Sequence, residues 1–412
     1  MKSCLILVLV LFFQSSHGQQ KNLEYYLNQG IQNSPLLKDY QNQQQINHLD
    51  SLRLRASKVF QVNAVSNNLY APVINGWGYD EAITNGANIS ALVAASKEIT
   101  WKRNLNSQFK VLQLDKQTLN LSIKLSENDL KKSITEQYLL SYGLWEQYSF
   151  NKDILSLFKQ EELLINKLTE KGVYKQTDFL SFMVNLRQQE LTLIQLKLQY
   201  QGNYTQLNAL CGLSDTAFAA LNDPELGLAF PAAVQNTPAY MQFAIDSLKL
   251  RTSDEQIDFA YQPKISLYAD AGYVSSLALM PWKNFGASIG INASIPLYDG
   301  RQRKLQHDKI TTSELTRQNY RSFYTQQYTQ QINGLMQQLK SIELTEKQAQ
   351  EQIKYSETLI EADQKLINTG DIQVTDYILA ISNYLQAKNA RIQLVISKYL
   401  IINQINYLNL KQ

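Results

Sequence analysis

Apolar and polar residues alternate with period two in four short stretches of the chain and recur every three or four residues through much longer ones. The alternation is clearest in the second half. Ile265, Leu267, Ala269, Ala271 and Tyr273 interleave with Ser266, Tyr268, Asp270 and Gly272. Ala287, Ile289, Ile291, Ala293 and Ile295 interleave with Ser288, Gly290, Asn292 and Ser294. In the first half, Ile89, Ala91, Val93 and Ala95 repeat the pattern, and the stretch from Val59 to Tyr70 places Phe60, Val62 and Ala64 on one face. Each stretch predicts a strand with one apolar and one polar face. Lengths of about 9–12 residues suit a tilted membrane strand, although soluble hairpins can carry the same alternation. The intervening loops span 71–85 and 276–285. Tyr70, Trp77, Tyr79, Tyr273 and Trp282 cluster at their bases, as aromatics do at a bilayer interface.

Helical periodicity fills most of the remainder. From Trp101 to Glu170 there is no proline and only one glycine, Gly143; Gly300 to Asn368 contains only Gly334 inside it. Uninterrupted helices of this length would extend roughly 100 Å. Ile154, Leu157, Phe158, Leu164, Ile165 and Leu168 form one seam, and Leu335, Leu339, Ile342, Ala349 and Ile353 another. Such seams pack against neighbouring helices. Abundant Gln and Asn could signal aggregation-prone disorder, but the regular seams argue for packed helices. The longest late apolar run, Leu394 to Ile402, is interrupted by Ser397 and Lys398, so no helix is expected to cross a bilayer.

The two halves share landmarks in the same order. Asn33-Ser34-Pro35 matches Asn236-Thr237-Pro238, and Gly86-Ala87-Asn88-Ile89 resembles Gly286-Ala287-Ser288-Ile289. Gly172–Leu210 aligns without a gap with Gly370–Leu408, pairing Thr177 with Thr375, Asp178 with Asp376 and Asn208 with Asn406. The organisation is therefore expected to be a duplicated helix–strand–strand–helix–helix unit. Its first copy covers 19–212, with a β-hairpin at 59–97 and a helical hairpin at 100–210. A connector follows at 213–235, containing Pro224 and Pro231. The second copy covers 236–412, with hairpins at 263–297 and 300–410. Ser34 and Thr237 are candidate N-caps ahead of a proline in the first helical turn. Those helices are expected to run to about 57 and 260.

Composition narrows the function. A net charge of +3 without a basic stripe argues against a nucleic-acid surface. Lys2, the apolar run Cys4–Phe13 and the small residues Ser16 and Gly18 read as a secretory signal peptide over 1–18. Cys211 then remains alone and can form no internal disulfide. His48 and His307 lie far apart and outside any metal-ligand spacing, and no phosphate loop or nucleophile motif is present. No catalytic, cofactor-binding or metal site is expected. Four strands cannot close a membrane barrel, and open edges are not tolerated in lipid. If the strands span a membrane, several chains must share one barrel; three would supply twelve strands.

Pro296-Leu297-Tyr298-Asp299-Gly300 stands between a predicted strand and a long predicted helix. It resembles the Pro-Leu-aromatic-Asp-Gly signature of the TolC-like outer membrane efflux proteins, and the duplicated plan resembles that family across the mature chain. The resemblance implies a mainly α protein with a membrane β-barrel. It implies a homotrimer whose twelve-stranded barrel continues into a long α-helical periplasmic tunnel. It further implies an outer-membrane location in a Gram-negative cell. The role would be a passive exit duct in tripartite efflux or type I secretion, fed by an inner-membrane pump through a periplasmic adaptor. Two departures stand out: Arg301 occupies a position where many members carry a second glycine, and Lys97-Glu98-Ile99-Thr100-Trp101 replaces the signature in the first half.

Candidate sites gather at the two helical turns. Gly172 and Gly370 can supply the positive φ that ends a helix, leaving Val173, Tyr174 and Ile372 exposed at the tips. The resemblance suggests that these tips meet the adaptor and that Asp371 and Asp376 ring a cation-selective entrance. An ordinary glycine turn is the alternative for the tips. Helix N-terminal stabilisation is the alternative for the acids, and Asp178 at the matching position fits it. The rival function is a periplasmic coiled-coil adaptor or other structural protein, which would share secretion and long helices but not four amphipathic strands.

Overall fold

A computed structural model describes residues 21–79, 87–215, 219–277 and 280–409. The signal-peptide segment and the Gly86 landmark lie outside the described residues. The first half contains α1 (Leu23–Asn33), α2 (Pro35–Ala56), β1 (Gln61–Tyr70), β2 (Ala87–Ile99), α3 (Lys102–Glu170) and α4 (Gln176–Leu210). The second contains α5 (Pro238–Ala260), β3 (Lys264–Ser275), β4 (Phe285–Ser294), α6 (Gln302–Thr369) and α7 (Val374–Asn409). The helix α1, for which the sequence reading had no counterpart, is capped by Asn22 Oδ1, which accepts from Tyr25 N at 3.0 Å. It stops at Ser34 because the residue before a proline is pushed out of helical geometry. Pro35 and Pro238 then open α2 and α5, and Ser34 Oγ and Thr237 Oγ1 accept from Leu37 N and Tyr240 N. No described helix is long and apolar enough to cross a membrane.

The chain forms two compact units, and each draws on both halves. One comprises Lys38–Leu125 and Val234–Gln327; the other takes the residues up to Leu37, Ser126–Ala233 and those from Tyr328 on. The division therefore cuts through α2, α3 and α6.

The first of these units holds the sheet. Its strands lie in the order β1-β2-β3-β4, every pair antiparallel. Residues directly opposite one another share a face. Val62, Ala95, Ala269 and Ile289 consequently form one apolar row, and Ala64, Val93, Ala271 and Ala287 the next. The intervening rows are mostly polar: Gln61, Ser96, Tyr268 and Gly290, then Asn63, Ala94, Asp270 and Ser288. Four separate alternations thus fall into one register. The apolar rows are uncovered, with Ile289 88%, Ile291 69% and Val62 65% exposed. A slip of one residue in any strand would turn its apolar set to the wrong face.

The other unit is a helical assembly with two cores. The first gathers Ile154, Phe158 and Ile165 of α3 with Phe182, Leu186, Ile360, Ile367, Tyr377 and Ile381. The second is rich in tyrosine and joins Tyr26, Ile134, Tyr138, Tyr200, Tyr204 and Cys211. Burial pushes the Cys211 thiol up to about 12, as suits a residue used for packing. Gly30 belongs to this core for want of room: a Cβ there would stand 2.2 Å from Ile134 Cδ1.

The described part of the connector ahead of Val234 has no regular structure of its own, and side chains of α7 satisfy its backbone. Asn406 Oδ1 accepts from Ala229 N at 2.7 Å while its Nδ2 donates to Gly227 O at 2.8 Å. Asn409 repeats the arrangement with Ala232 N and Ala229 O. Asn409 is buried, so removing its amide strands connector groups without replacement partners. Asn409→Ala should lower stability by about 1–3 kcal/mol. Denaturant unfolding followed by tryptophan fluorescence checks this, and an unchanged midpoint would refute it.

Candidate functional site

Both helical-hairpin tips end by the same backbone device. At the first, Val173 N donates to Leu168 O and Gly172 N to Thr169 O. At the second, Asp371 N donates to Leu366 O and Gly370 N to Ile367 O. These paired bonds define a Schellman turn, which needs a left-handed residue; Gly172 and Gly370 have φ of +76° and +81°. The glycine roles inferred from the sequence are those the backbone uses.

The tips are brought together. The Tyr174 hydroxyl lies 3.1 Å from the carbonyl oxygens of both Ile367 and Ile372 and donates between them. A Cβ on Gly370 would stand 2.5 Å from Val173 Cγ1. The expectation that Tyr174 is exposed is therefore overturned: it is 8% exposed, and its ring belongs to the core. Burial raises its phenol above the ordinary range, with Asp371 and Asp178 adding to the effect. Ile372 is also only half-exposed and packs on the same core. Val173 alone of the three apolar tip residues is well exposed.

The acids differ in their surroundings. Asp178 Oδ2 accepts from Lys175 N at 3.1 Å and serves as a cap. Asp371 accepts from the Thr369 hydroxyl at 2.6 Å. Asp376 lies exposed in the first turn of α7. Beside it is an acid that the sequence reading missed. Asp363 on α6 is 6% exposed, and burial first, then the charge of Asp376, raises its carboxyl above the usual range. Its signal was legible, because Ile353, Ser356, Ile360, Asp363 and Ile367 alternate by three and four along one buried seam.

In the sheet-bearing unit, the segment after β4 builds a tight entry to α6. Leu297 and Tyr298 are exposed. Asp299 accepts from Arg301 N at 2.9 Å and from Arg303 N at 2.7 Å. The Tyr261 hydroxyl and then the Arg303 amide hold its carboxyl below the ordinary range. Gly300 takes φ of +64° and Arg301 +71°. At the opposite end of the sheet, Trp77 is 86% exposed, and Tyr70, Tyr79 and Trp282 are exposed too. Tyr273 packs against Phe285, ring centroids 5.3 Å apart. The sequence reading also missed the Asn75-Gly76 turn: both residues have positive φ, and Ile74 and Trp77 exchange two 3.0 Å backbone bonds across it. Asn-Gly is the commonest signal for such a two-residue turn.

No protein-family model and no curated protein sequence matches this chain. Solved structures do. CusC superposes with a TM-score of 0.75 at 11% identity, covering 93% of this chain and 91% of that one. The CmeC outer membrane channel of Campylobacter jejuni gives 0.74 at 13%, covering 94% and 85%. The outer membrane protein VceC of Vibrio cholerae gives 0.74 at 14%, covering 94% and 96%. The chain has the TolC-like outer-membrane channel fold.

Within that fold, the departure at Arg301 acquires a physical meaning. The second residue of the αL pair must be left-handed whatever its side chain, which is why glycine suits it. Arg301→Gly should raise stability by about 1 kcal/mol. A thermal melt of the extracted protein reads this as a higher midpoint; a lower one would show that the Arg301 side chain outweighs the strain.

His307 finds a role in the TolC-like fold that no sequence spacing announced. Its Nδ1 lies 2.6 Å from Asp254 Oδ1 and its Nε2 3.2 Å from Asp258 Oδ1, so α6 grips two successive turns of α5. Arg303 Nη2 reaches Asp258 at 2.6 Å. With carboxylates at both ring nitrogens, both must donate, which requires imidazolium. The Asp254 bond, opposed by desolvation, raises the His307 value above its ordinary 6.5. A raised folded-state value stabilises fully below pH 6.5, and that stability is lost as pH rises through the raised value. The thermal midpoint should fall over that rise, and His307→Gln should flatten the dependence. An equal slope in the variant would exclude the histidine. Among the described residues, no group of three or more His, Cys, Asp or Glu is arranged to hold a metal ion.

Proposed function

We propose that this chain is one protomer of a homotrimeric outer-membrane exit duct. Substrates reach it from an inner-membrane pump through a periplasmic adaptor. The observation that carries this reading is the sheet: four strands whose register aligns one exposed apolar face, with unpaired edges at β1 and β4, on a chain of TolC-like fold. In lipid those edges need partners, and β4 of one copy against β1 of the next, repeated three times, supplies them in a closed ring. The exposed aromatics at the hairpin ends suit the outer interface, and the apolar rows suit hydrocarbon. Similar elements in both halves support a duplicated unit, and the leading segment supports export from the cytoplasm. The neighbours by structure are channel proteins, so transport without turnover is the role assigned.

The tips are the proposed periplasmic end. Val173 and the turns at Gly172 and Gly370 would meet the adaptor, with Tyr174 and Ile372 shaping that surface from beneath. Asp371 and Asp376 would line the entrance, three copies of each.

The deciding measurement is the oligomeric mass of the protein extracted from outer-membrane fractions in mild detergent. A trimer there, together with dye accumulation in cells lacking the protein, supports the duct. A soluble periplasmic monomer would remove it and favour the adaptor reading. For the entrance, Asp376→Asn should reduce block of the channel by multivalent cations; unchanged block would dismiss that role.

A further inference from the structure

The polar face of the sheet carries one charge that nothing else on the strands offsets. Lys97 belongs to the other face, opposite Leu267, with its ammonium over the Phe60 ring. Lys264 and Glu98 share the polar face near the helices. Glu98 lies opposite Ser266, which makes Lys264 its diagonal neighbour of opposite sign. Asp270 stands alone in the next part of the wall, in the row Asn63, Ala94, Asp270 and Ser288. It lies six positions along the strand from Lys264, about 20 Å. That exceeds the screening length of about 8 Å in physiological salt. The carboxylate is also held in place: Ser288 Oγ donates to Asp270 Oδ2 at 2.8 Å across the β3–β4 pair. In the adjoining row, Tyr268 lies along the wall over Gly290, where a Cβ would meet its hydroxyl at 2.4 Å, so this bulky neighbour rests on the sheet.

We propose that Asp270 sets a cation preference inside the barrel, its three copies forming one anionic belt on the lumen wall. This rests on the trimeric-duct reading, which makes the polar face the water-filled one. A fixed carboxylate ring in a narrow aqueous path concentrates cations and repels anions over its own length. The neighbouring rows on that face, Gln61, Ser96, Tyr268 and Gly290 on one side and Val65, Leu92, Gly272 and Gly286 on the other, carry no charge, so they neither reinforce nor cancel it. The selectivity arises in the membrane part of the duct, independently of the acids at the tips.

The test is the reversal potential of the full-length protein in planar bilayers under a potassium chloride gradient. Wild type should favour potassium over chloride. Asp270→Asn, which keeps the shape and can still accept from Ser288, should bring the permeability ratio several-fold closer to one. Asp270→Lys should invert it, and Asp270→Glu should retain the wild-type preference. The same shifts should appear in an Asp376→Asn background. Conducting trimers with unchanged ratios in both the Asn and Lys variants would overturn the proposal and leave the duct reading standing. A wild-type trimer-sized protein that never conducts would overturn both.

Discussion

A strand must pair in the one register that keeps its apolar set on a single face, and the four-stranded sheet in this structure depends on that constraint. The single chain supplies four strands, in the order β1-β2-β3-β4, and two open edges. Its hairpins come from opposite halves, yet β2 and β3 pair in a register that continues the apolar rows without a step. Those rows remain uncovered by the chain's own helices. On the proposed trimeric-duct reading, its complements are lipid and the edges of identical neighbours.

The junction between strand and helix is the second demand. In both halves the second strand of a hairpin hands over to a long helix. In the second half the handover uses Asp299 as a cap and two left-handed residues, Gly300 and Arg301. In the first half β2 runs to Ile99 and α3 begins at Lys102 with no such device. The halves thus solve the same problem differently. Around the second handover, Arg303 and His307 tie α6 to Asp254 and Asp258 of α5.

The tips show why chain reversal and surface chemistry are separate questions. Gly172 and Gly370 are needed for backbone reasons alone. The side chains beside them are divided by packing: Tyr174 turns inward to bond the opposite turn, while Val173 stays out. Asp178 and Asp376 occupy equivalent positions in the sequence, yet only Asp178 is seen closing a cap. Asp376 instead sits near the buried Asp363, a like charge.

By itself the sequence determined what depends on neighbours along the chain. The period-two faces of the strands, the helix starts at Ser34 and Thr237 and the Gly turns all rest on local geometry, and so does the Pro296–Gly300 handover. The same local rules covered Asn75-Gly76 and Asn22, and reading them would have placed that turn and α1. What only the tertiary structure decided depends on residues distant in sequence. The pairing of β2 with β3, the burial of Tyr174 and the Asn406 and Asn409 clips on the connector are of that kind, as is the imidazolium bridge at His307. Periodicity states that a face is apolar or a side chain polar, but not which partner it will find. That choice is made when segments nearly two hundred residues apart come within hydrogen-bonding distance.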